Sequence, residues 1–155
     1  MKNITDLLAE HPLFRGLDVP VLALVSGCGR NVHFDAGTRI LHEGEPADTF
    51  YVLRSGRVAL EVFTPARGPV VIETLGPGDV LGWSWLFPPY RWHFDAHAAD
   101  SVRAIALDGA CLRAKCQDDP HLGYELTQRF AAVMLDRLQA TRLRLLDVYG
   151  DVHAG

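Results

Sequence analysis

Apolar positions near the N-terminus recur at helical spacing. Ile4, Leu7 and Leu8 form one apolar stripe. A second apolar run follows Asp18 and Pro20, which are typical of a helix cap and a first helical turn. The pattern predicts two short helices before the first strand.

Residues 30 to 107 carry short apolar runs of strand length, separated by turn residues. The runs are NVHF, TRILHEG, TFYVLRSG, RVALEVF, VVIETLG, DAHAA and SVRAIALD. Turn signals such as Asp35-Ala36-Gly37 and Pro77-Gly78-Asp79 recur about every ten residues between them. This spacing predicts an antiparallel sandwich, jelly roll or barrel.

The C-terminal region returns to the helical period. A short helical stretch follows Asp108 and ends near Cys116, and a long helix is predicted from about Pro120 to Tyr149. Proline fits the first turn of such a helix, and Asp118 or Asp119 would cap it.

One face of the long helix repeats residues at four-three spacing. The repeat comprises Met134, Leu138, Thr141, Leu145 and Val148. This spacing is typical of the seam of a two-stranded coiled coil. The alternative is that the whole helix packs onto its own β core. We expect its first half to pack on the core and its second half to pair with a second subunit, which predicts a homodimer.

A dense aromatic segment follows a glycine-rich turn. The residues from Trp83 to Phe94 read WSWLFPPYRWHF and include all three tryptophans together with Arg91. Large rings around one guanidinium are typical of a pocket for a small anionic molecule. The alternative is an aromatic core without a ligand.

Length, composition and charge limit the function classes. The 155 residues and 48% hydrophobic content suit one domain, 1–155, with N-terminal helices at 1–29, a β-roll at 30–108 and C-terminal helices at 109–150. The net charge of −4 disfavours nucleic acid as a partner. The arginines of the long helix are interleaved with acidic residues and are typical of a solvated helix face; they are Arg129, Arg137, Arg142 and Arg144.

The cysteines and the N-terminus indicate a soluble cytoplasmic protein. Cys28, Cys111 and Cys116 are odd in number and lack metal-site spacing, so we expect free thiols in a reducing compartment. The N-terminus has acidic residues where a signal peptide would be apolar, and no apolar run reaches membrane-spanning length.

Signatures of catalysis are scarce in the sequence. His93, Asp95 and His97 would share one strand face, where they could hold a divalent metal. The further glutamate and histidine that support such a site in metal-dependent cupins are not visible downstream, so we expect no metal. No Ser-His-Asp signature, phosphate loop or CxxC motif occurs. The sequence therefore predicts no enzyme, no catalytic residues and no cofactor.

Several motifs, in the right order, resemble those of one known family. HPLFRGLD resembles its N-terminal helix, FDAGTRILHEGEPADTFYVLRSGRVAL its opening strands, LGPGDVLG the approach to its phosphate-binding cassette, and GYELTQRFAAVMLDRLQATRLRLLDVYG its dimerisation helix. The chain is similar to the cyclic-nucleotide-binding domains of the catabolite-activator and oxygen-regulator type of bacterial transcription factors. The resemblance implies a mainly β fold with flanking helices, in which a long dimerisation helix follows an antiparallel β-roll of the jelly-roll type.

The resemblance also implies a ligand site in the aromatic segment. In the family, a glutamate after the cassette glycine accepts from the ribose hydroxyl, and an arginine about ten residues further on holds the cyclic phosphate. Gly82 and Arg91 match this pattern, but Trp83 stands at the glutamate position. Loss of that carboxylate costs the ribose contact about 1.5 to 3 kcal/mol. The implied ligand-binding residues are Gly82, Trp83, Ser84, Trp85, Arg91 and Trp92.

The expected function is that of a stand-alone regulatory domain that senses a small anionic ligand, with a cyclic nucleotide as one candidate. Ligand binding would shift the long helix, as in the family. The chain stops six residues after Tyr149, without the helix-turn-helix of the family's transcription factors, so no direct DNA binding is expected. The alternative is a protein-interaction and dimerisation module whose pocket is filled by its own side chains.

Overall fold

The computed structural model describes the backbone of residues 2–154 and the side chains of residues 2–147. Over this part of the chain, the elements follow the predicted order of helices, strands and helices. Their bounds are α1 Ile4–Glu10, α2 Val19–Ser26, β1 Gly29–Phe34, β2 Arg39–Leu41, β3 Thr49–Ser55, β4 Val58–Thr64, β5 Gly68–Leu75, β6 Val80–Leu81, β7 Asp95–Ala98, β8 Val102–Asp108, α3 Gly109–Asp118 and α4 Pro120–Ala154. A 3-10 helix, Ser84–Leu86, lies between β6 and β7.

The strands form two antiparallel four-stranded sheets that face each other. Sheet I has the order β1-β8-β3-β6, and sheet II has the order β2-β7-β4-β5. Strand β8 pairs with β1 and β3, and strand β4 pairs with β5 and β7. Two facing sheets with such non-sequential neighbours form an open β-roll rather than a closed barrel. The predicted mainly β fold with flanking helices is confirmed.

Two apolar clusters form the core. One lies between the sheets, where alternate strand residues point inward; it includes Leu41, Leu53, Val58, Leu60, Leu75, Leu81, Trp92, Ala96, Ala98, Val102 and Ala104. The other lies between sheet I and the helices; it includes Leu8, Phe14, Val25, Phe50, Val52, Trp85, Ile105, Leu107, Leu112, Leu122, Leu126 and Phe130. Strand β8 contributes to both clusters and is therefore buried on both faces.

The two predicted N-terminal helices are confirmed, with one difference at a cap. The Asn3 side chain accepts from the Asp6 N–H at 2.8 Å, and the Asp6 carboxylate accepts from the Asn3 N–H at 3.1 Å, which together cap α1. Asp18 occupies the N-cap position of α2, as predicted, but its side chain makes no capping hydrogen bond. Pro20 in the first turn favours the start of α2 instead.

The long helix α4 begins at Pro120, as predicted. The Asp119 carboxylate caps it by accepting from the N–H groups of His121 and Leu122 at 3.1 and 3.3 Å. The first half of α4 packs on the core through side chains with no exposed surface, namely Leu122, Leu126 and Phe130. No helix in residues 2–154 is long and apolar enough to cross a membrane.

Two of the three cysteines form a disulfide, so the prediction of free thiols is wrong for them. Cys28 and Cys111 are 83 residues apart in sequence, yet their Cα atoms are 6.1 Å apart. The pairing of β1 with β8 explains this proximity, because Gly29 lies opposite Leu107 and Cys111 follows in the first turn of α3. Cys116 is a free, half-buried thiol, and burial raises its pKa.

Candidate functional site

The segment Gly82–Trp92, here called the cassette, leaves β6 through a turn that requires glycine. Gly82 has a φ of +98°, in the left-handed region that side chains disfavour. A Cβ atom at this position would lie 2.5 Å from the ring of Trp92. The backbone at Gly82 is therefore packed directly against the indole.

Three of the predicted ligand-binding side chains are buried. Trp85 has no exposed surface and stacks on Phe50, with ring centroids 4.8 Å apart. Ser84 is also buried, next to Trp85 in the 3-10 helix. Trp92 lies between the two sheets, whereas Trp85 lies between sheet I and the helices. The two indoles thus sit in separate parts of the core, which corresponds to the aromatic-core alternative at these two positions.

Arg91 is the exposed charged residue of the cassette. Its guanidinium donates from Nη1 to the Gly44 carbonyl at 2.9 Å, and its backbone pairs with Pro46 in an isolated β-bridge. These contacts hold Arg91 beside the loop between β2 and β3. Because a guanidinium has five N–H donors, this one bond leaves donors free for an anion.

An apolar groove of about 570 Å³ lies between sheet II and α4. Strands β4 and β5, the cassette, Phe94 and α4 all contribute to its lining, which includes the charged residues Glu73 and Arg137. Of the six ligand-binding residues predicted from the sequence, Trp83 lines this groove. The volume lies in the range of pockets for small molecules and cofactors.

Arg137 connects α4 to the cassette. Its guanidinium carbon lies 4.8 Å from the centroid of the Trp83 ring, and its Nη2 donates to the Val80 carbonyl. Its Nε is 4.0 Å from a Glu73 carboxylate oxygen. The side chain is 13% exposed, so burial lowers the pKa of Arg137, and the charge of Glu73 partly offsets this effect. A partly desolvated cation over an indole contributes about 1 to 2 kcal/mol.

Other arginines of α4 also make defined contacts. The prediction of a solvated face is wrong for Arg129, whose side chain is 22% exposed, whereas the side chain of Arg144 is 50% exposed. Arg129 donates from Nη1 to the carbonyls of Leu13 and Arg15 at 2.9 and 2.8 Å. Arg144 donates from Nη1 to the Ile72 carbonyl at 3.0 Å. These bonds satisfy loop and strand carbonyls and fasten α4 to the N-terminal segment and to β5. The sequence could not show that these elements approach the helix.

Asp95 and His97 are engaged by neighbouring residues of sheet II and its loops. The His97 Nδ1 lies 2.8 Å from a carboxylate oxygen of Glu61, and the Asp95 carboxylate accepts from the Glu43 N–H at 2.7 Å. His93 precedes β7 and is outside the strand. Within the described part of the chain, no group of three or more His, Cys, Asp or Glu side chains is arranged to hold a metal.

The predicted dimer seam coincides in part with the groove. Met134, Leu138 and Thr141 line the groove. Leu138 is 47% exposed and Leu145 is 54% exposed, and the side chain of Val148 lies outside the described residues. A partner helix packed against this seam would therefore cover the groove.

The facing sheets, the cassette and the long helix beside the groove together define the class of β-roll domains with flanking helices. The chain belongs to the cyclic nucleotide-binding domain family, whose profile matches residues 31–119.

Known proteins similar to this chain include regulators and isolated binding domains. A CRP-like cAMP-activated global transcriptional regulator of Mycobacterium tuberculosis is 28% identical over 95% of this chain, which spans 64% of the regulator's length. A putative cyclic nucleotide-binding protein from Geobacter metallireducens is 28% identical, with a TM-score of 0.79 over 89% of this chain and 99% of that one. The N-terminal domain of a transcriptional regulator from Streptomyces coelicolor is 27% identical, with a TM-score of 0.68 over 87% and 94% of the two chains.

The Arg137–Glu73 pair is not predictable from the sequence pattern. Helical periodicity gives the angular position of Arg137 on α4 but cannot show that β5 and the cassette approach it. A signal was available, since Arg137 immediately precedes Leu138 and follows Met134 by three residues, within the apolar seam. An arginine next to these apolar positions is expected to contact the element that packs against this side of α4.

Proposed function

We propose that this domain reversibly binds a small anionic molecule with a ring system and transmits binding to α4. The groove would hold the ring against Trp83, and Arg91 would bind the anionic group. The observation that carries the proposal is the position of Arg137. This one side chain contacts the cassette, lines the groove and belongs to α4.

A ligand in the groove would alter the contacts that hold Arg137. Its guanidinium is held by Trp83, Val80 and Glu73. A ligand that moved the indole would leave a mostly buried cation with fewer partners, which is unfavourable. A shift of α4 would restore those contacts, so that the ligand would change the balance between two helix positions.

A cyclic nucleotide is the first candidate ligand. The relative from Mycobacterium tuberculosis is described as cAMP-activated, and the family is that of cyclic nucleotide-binding domains. The groove is wide enough for a purine, and the guanidinium of Arg91 suits a phosphate. Since an indole replaces the family's carboxylate, we expect binding about ten- to a hundredfold weaker than a cassette with glutamate would give.

The test is isothermal titration of the wild-type chain with cyclic AMP and cyclic GMP. Arg91→Ala should weaken binding at least tenfold, because it removes the charged donor of the anion. Arg67→Ala is the matched control, because it removes an exposed arginine in the turn between β4 and β5 and should leave binding unchanged.

A second variant tests the role of residue 83. Trp83→Glu restores the carboxylate and should tighten cyclic nucleotide binding about tenfold or more. Trp83→Phe keeps an aromatic ring over Arg137 and should leave the affinity near that of the wild type. If neither the wild type nor Trp83→Glu binds either nucleotide at millimolar concentration, a nucleotide function is contradicted.

A second candidate function is that of a homodimeric protein-interaction module. It is favoured by the exposed leucines of α4, which are Leu135, Leu138, Leu143, Leu145 and Leu146, and by the indoles that fill the core. Such a module would act through the dimer seam or recruit another protein to it. Dimerisation without any effect of ligands on α4 would favour this candidate.

A further inference from the structure

A surface pocket of about 420 Å³ lies on sheet I, away from the groove. Its lining residues are Asn31, Val32, His33, Arg54 and Arg103, and we call it the arginine pocket. They come from the neighbouring strands β1, β3 and β8. None of them belongs to sheet II, the cassette or α4, so this pocket is separate from the groove.

The strand register brings the cationic residues together. His33 of β1 lies opposite Arg103 of β8. On the other side of β8, the register of β3 shifts between Leu53 and Ser55, so that Arg54 and Ser55 together lie beside Arg103. The two guanidinium groups therefore project from adjacent strands into one pocket.

The outward direction of these side chains follows from the packing of β8. Val102 and Ala104 are buried between the sheets, so Arg103, which lies between them, points to the opposite face. Further along the same face, Ile105 and Leu107 are covered by the helices. Arg103 is exposed and thus lies beyond the edge of the helical layer.

The two guanidinium groups of the pocket have no counter-ion among its lining residues. The lining contains no carboxylate. Within the part of the chain whose side chains are described, Arg54 and Arg103 make no side-chain hydrogen bond or ion pair. His33 already has neighbours at both ring nitrogens, because its Nδ1 is 3.7 Å from an Asp35 carboxylate oxygen and its Nε2 is 2.8 Å from the Ser101 hydroxyl. Like charges on adjacent strands repel each other, and this pair occurs in a chain with a net charge of −4.

We propose that the arginine pocket binds the dianion of a phosphomonoester. Two guanidinium groups match a dianion in charge, and each can donate two parallel N–H bonds to its oxygens. The Asn31 amide can donate a further bond. The backbones of Arg54 and Arg103 belong to strands of sheet I, so the ordering cost of binding would come mainly from the two arginine side chains.

The charge of the chain decides between classes of phosphate-bearing ligand. Nucleic acid binding requires an extended basic surface, whereas this chain is acidic overall and the pocket has two arginines. A single phosphomonoester fits the pocket, and it could be carried by a small metabolite or by a phosphorylated side chain of another protein.

The test is a titration of the full chain with inorganic phosphate and with O-phosphoserine, followed by the backbone amide NMR signals of β1, β3 and β8. We expect saturable shifts at the pocket residues and at least tenfold weaker binding for both Arg54→Ala and Arg103→Ala. Arg103→Lys, which keeps the charge but loses the planar fork, should weaken binding less. Arg67→Ala is the matched control and should bind like the wild type.

Further ligands identify the source of the phosphomonoester. Tighter binding of a phosphoserine peptide than of free O-phosphoserine would assign the pocket to a phosphorylated protein; equal binding would assign it to a small metabolite. Acetate should bind much more weakly than phosphate. The proposal is overturned if phosphate causes no saturable shift at the pocket, if acetate binds equally, or if binding survives Arg103→Ala. These outcomes are independent of cyclic nucleotide binding, which is tested through Arg91 and Trp83.

Discussion

The three tryptophans have the same side chain but different environments, and the environment decides what each can do. Trp85 is fully buried against aromatic rings, with Phe130 at 5.3 Å and Phe50 at 4.8 Å between centroids. Trp92 fills the space between the sheets. Trp83 is half-buried over the Arg137 guanidinium, at the groove. Of the three, Trp83 is therefore the one in a position to report a ligand in the groove.

Replacement of Trp85 tests the core role at the residue scale. Trp85→Ala should lower the free energy of unfolding by about 3 to 5 kcal/mol, because it leaves a large cavity. Trp85→Phe should lower the free energy of unfolding by less than half as much as Trp85→Ala. It keeps a ring against Phe50 and removes an indole N–H that is buried without a partner among the described residues. Urea denaturation measures the free energy of unfolding of both variants. Equal decreases in the two variants would contradict a role for the ring of residue 85 in the core.

His11 should make stability depend on pH. It is 9% exposed, and burial lowers its pKa from the ordinary 6.5, although the Gly78 backbone and the Asp79 carboxylate act in the opposite direction. Because the native pKa lies below the unfolded one, the unfolded state binds more protons between the two values. Stability should therefore fall as the pH drops below about 6.5.

The measurement is the free energy of unfolding by urea between about pH 5 and pH 7.5, a range that brackets the ordinary histidine pKa. His11→Asn keeps an acceptor for the Leu13 N–H, which bonds to the His11 Nδ1 at 3.1 Å, but it cannot titrate. It should flatten the profile. His42→Asn provides the control, because it makes the same substitution at an exposed histidine. A slope that persists in His11→Asn would show that other groups cause it.

At the scale of elements, side-chain links rather than helix propensity fix the helices on the roll. Helix α4 is fastened by its buried apolar residues, by Arg129 to the N-terminal segment and by Arg137 to the cassette. Helix α3 is fastened by the Cys28–Cys111 disulfide at its start and by Lys115, which donates to the Leu24 carbonyl at 2.9 Å. Helix α3 thus holds the end of α2 close to the start of α4.

Loss of the disulfide should destabilise the domain. It closes a loop of 83 residues, for which the chain-entropy model gives a stabilisation of about 4.5 kcal/mol. Cys28→Ser should therefore lower the free energy of unfolding by roughly 2 to 4 kcal/mol, whereas Cys116→Ser should change it little. Urea denaturation with and without dithiothreitol measures this difference. A wild type that is insensitive to the reductant would contradict the prediction.

The redox state of this pair also tests the expected location. Disulfides are rare in a reducing cytoplasm, so the cytoplasmic location stays a prediction. Alkylation of free thiols in intact cells, followed by mass spectrometry of Cys28 and Cys111, measures the oxidised fraction. A fully oxidised pair would contradict a reducing compartment.

At the scale of the molecule, the proposed dimer depends on the exposed seam of α4. Leu138 is 47% exposed, so burial of its remaining surface in two symmetric copies would contribute about 2 kcal/mol. Leu138→Lys should thus weaken dimerisation at least tenfold. Gln139→Lys adds the same charge beside the seam and should have a smaller effect. Sedimentation equilibrium distinguishes them, and a monomeric wild type at high concentration would contradict the dimer.

The fold was predictable because the patterns that determine it are local. Strand-length apolar runs with turn residues between them indicated each long strand, and Pro120 with Asp119 indicated the start of α4. The short strand β6, Val80–Leu81, is too brief to show a period of its own. The candidate site was only partly predictable, because burial of Trp85 and Trp92 depends on which sheet or helix covers them.

Periodicity and turn chemistry act between residues close in the chain, so the sequence by itself determined the order of the helices and strands. The β-roll and the family were indicated by the order of the motifs that resemble the family. Only the tertiary structure decided which distant side chains meet. It paired Cys28 with Cys111, set Arg137 under Trp83 and brought Arg54 beside Arg103. These contacts join residues that are far apart in sequence, and their formation depends on strand register and helix docking, which no local pattern specifies.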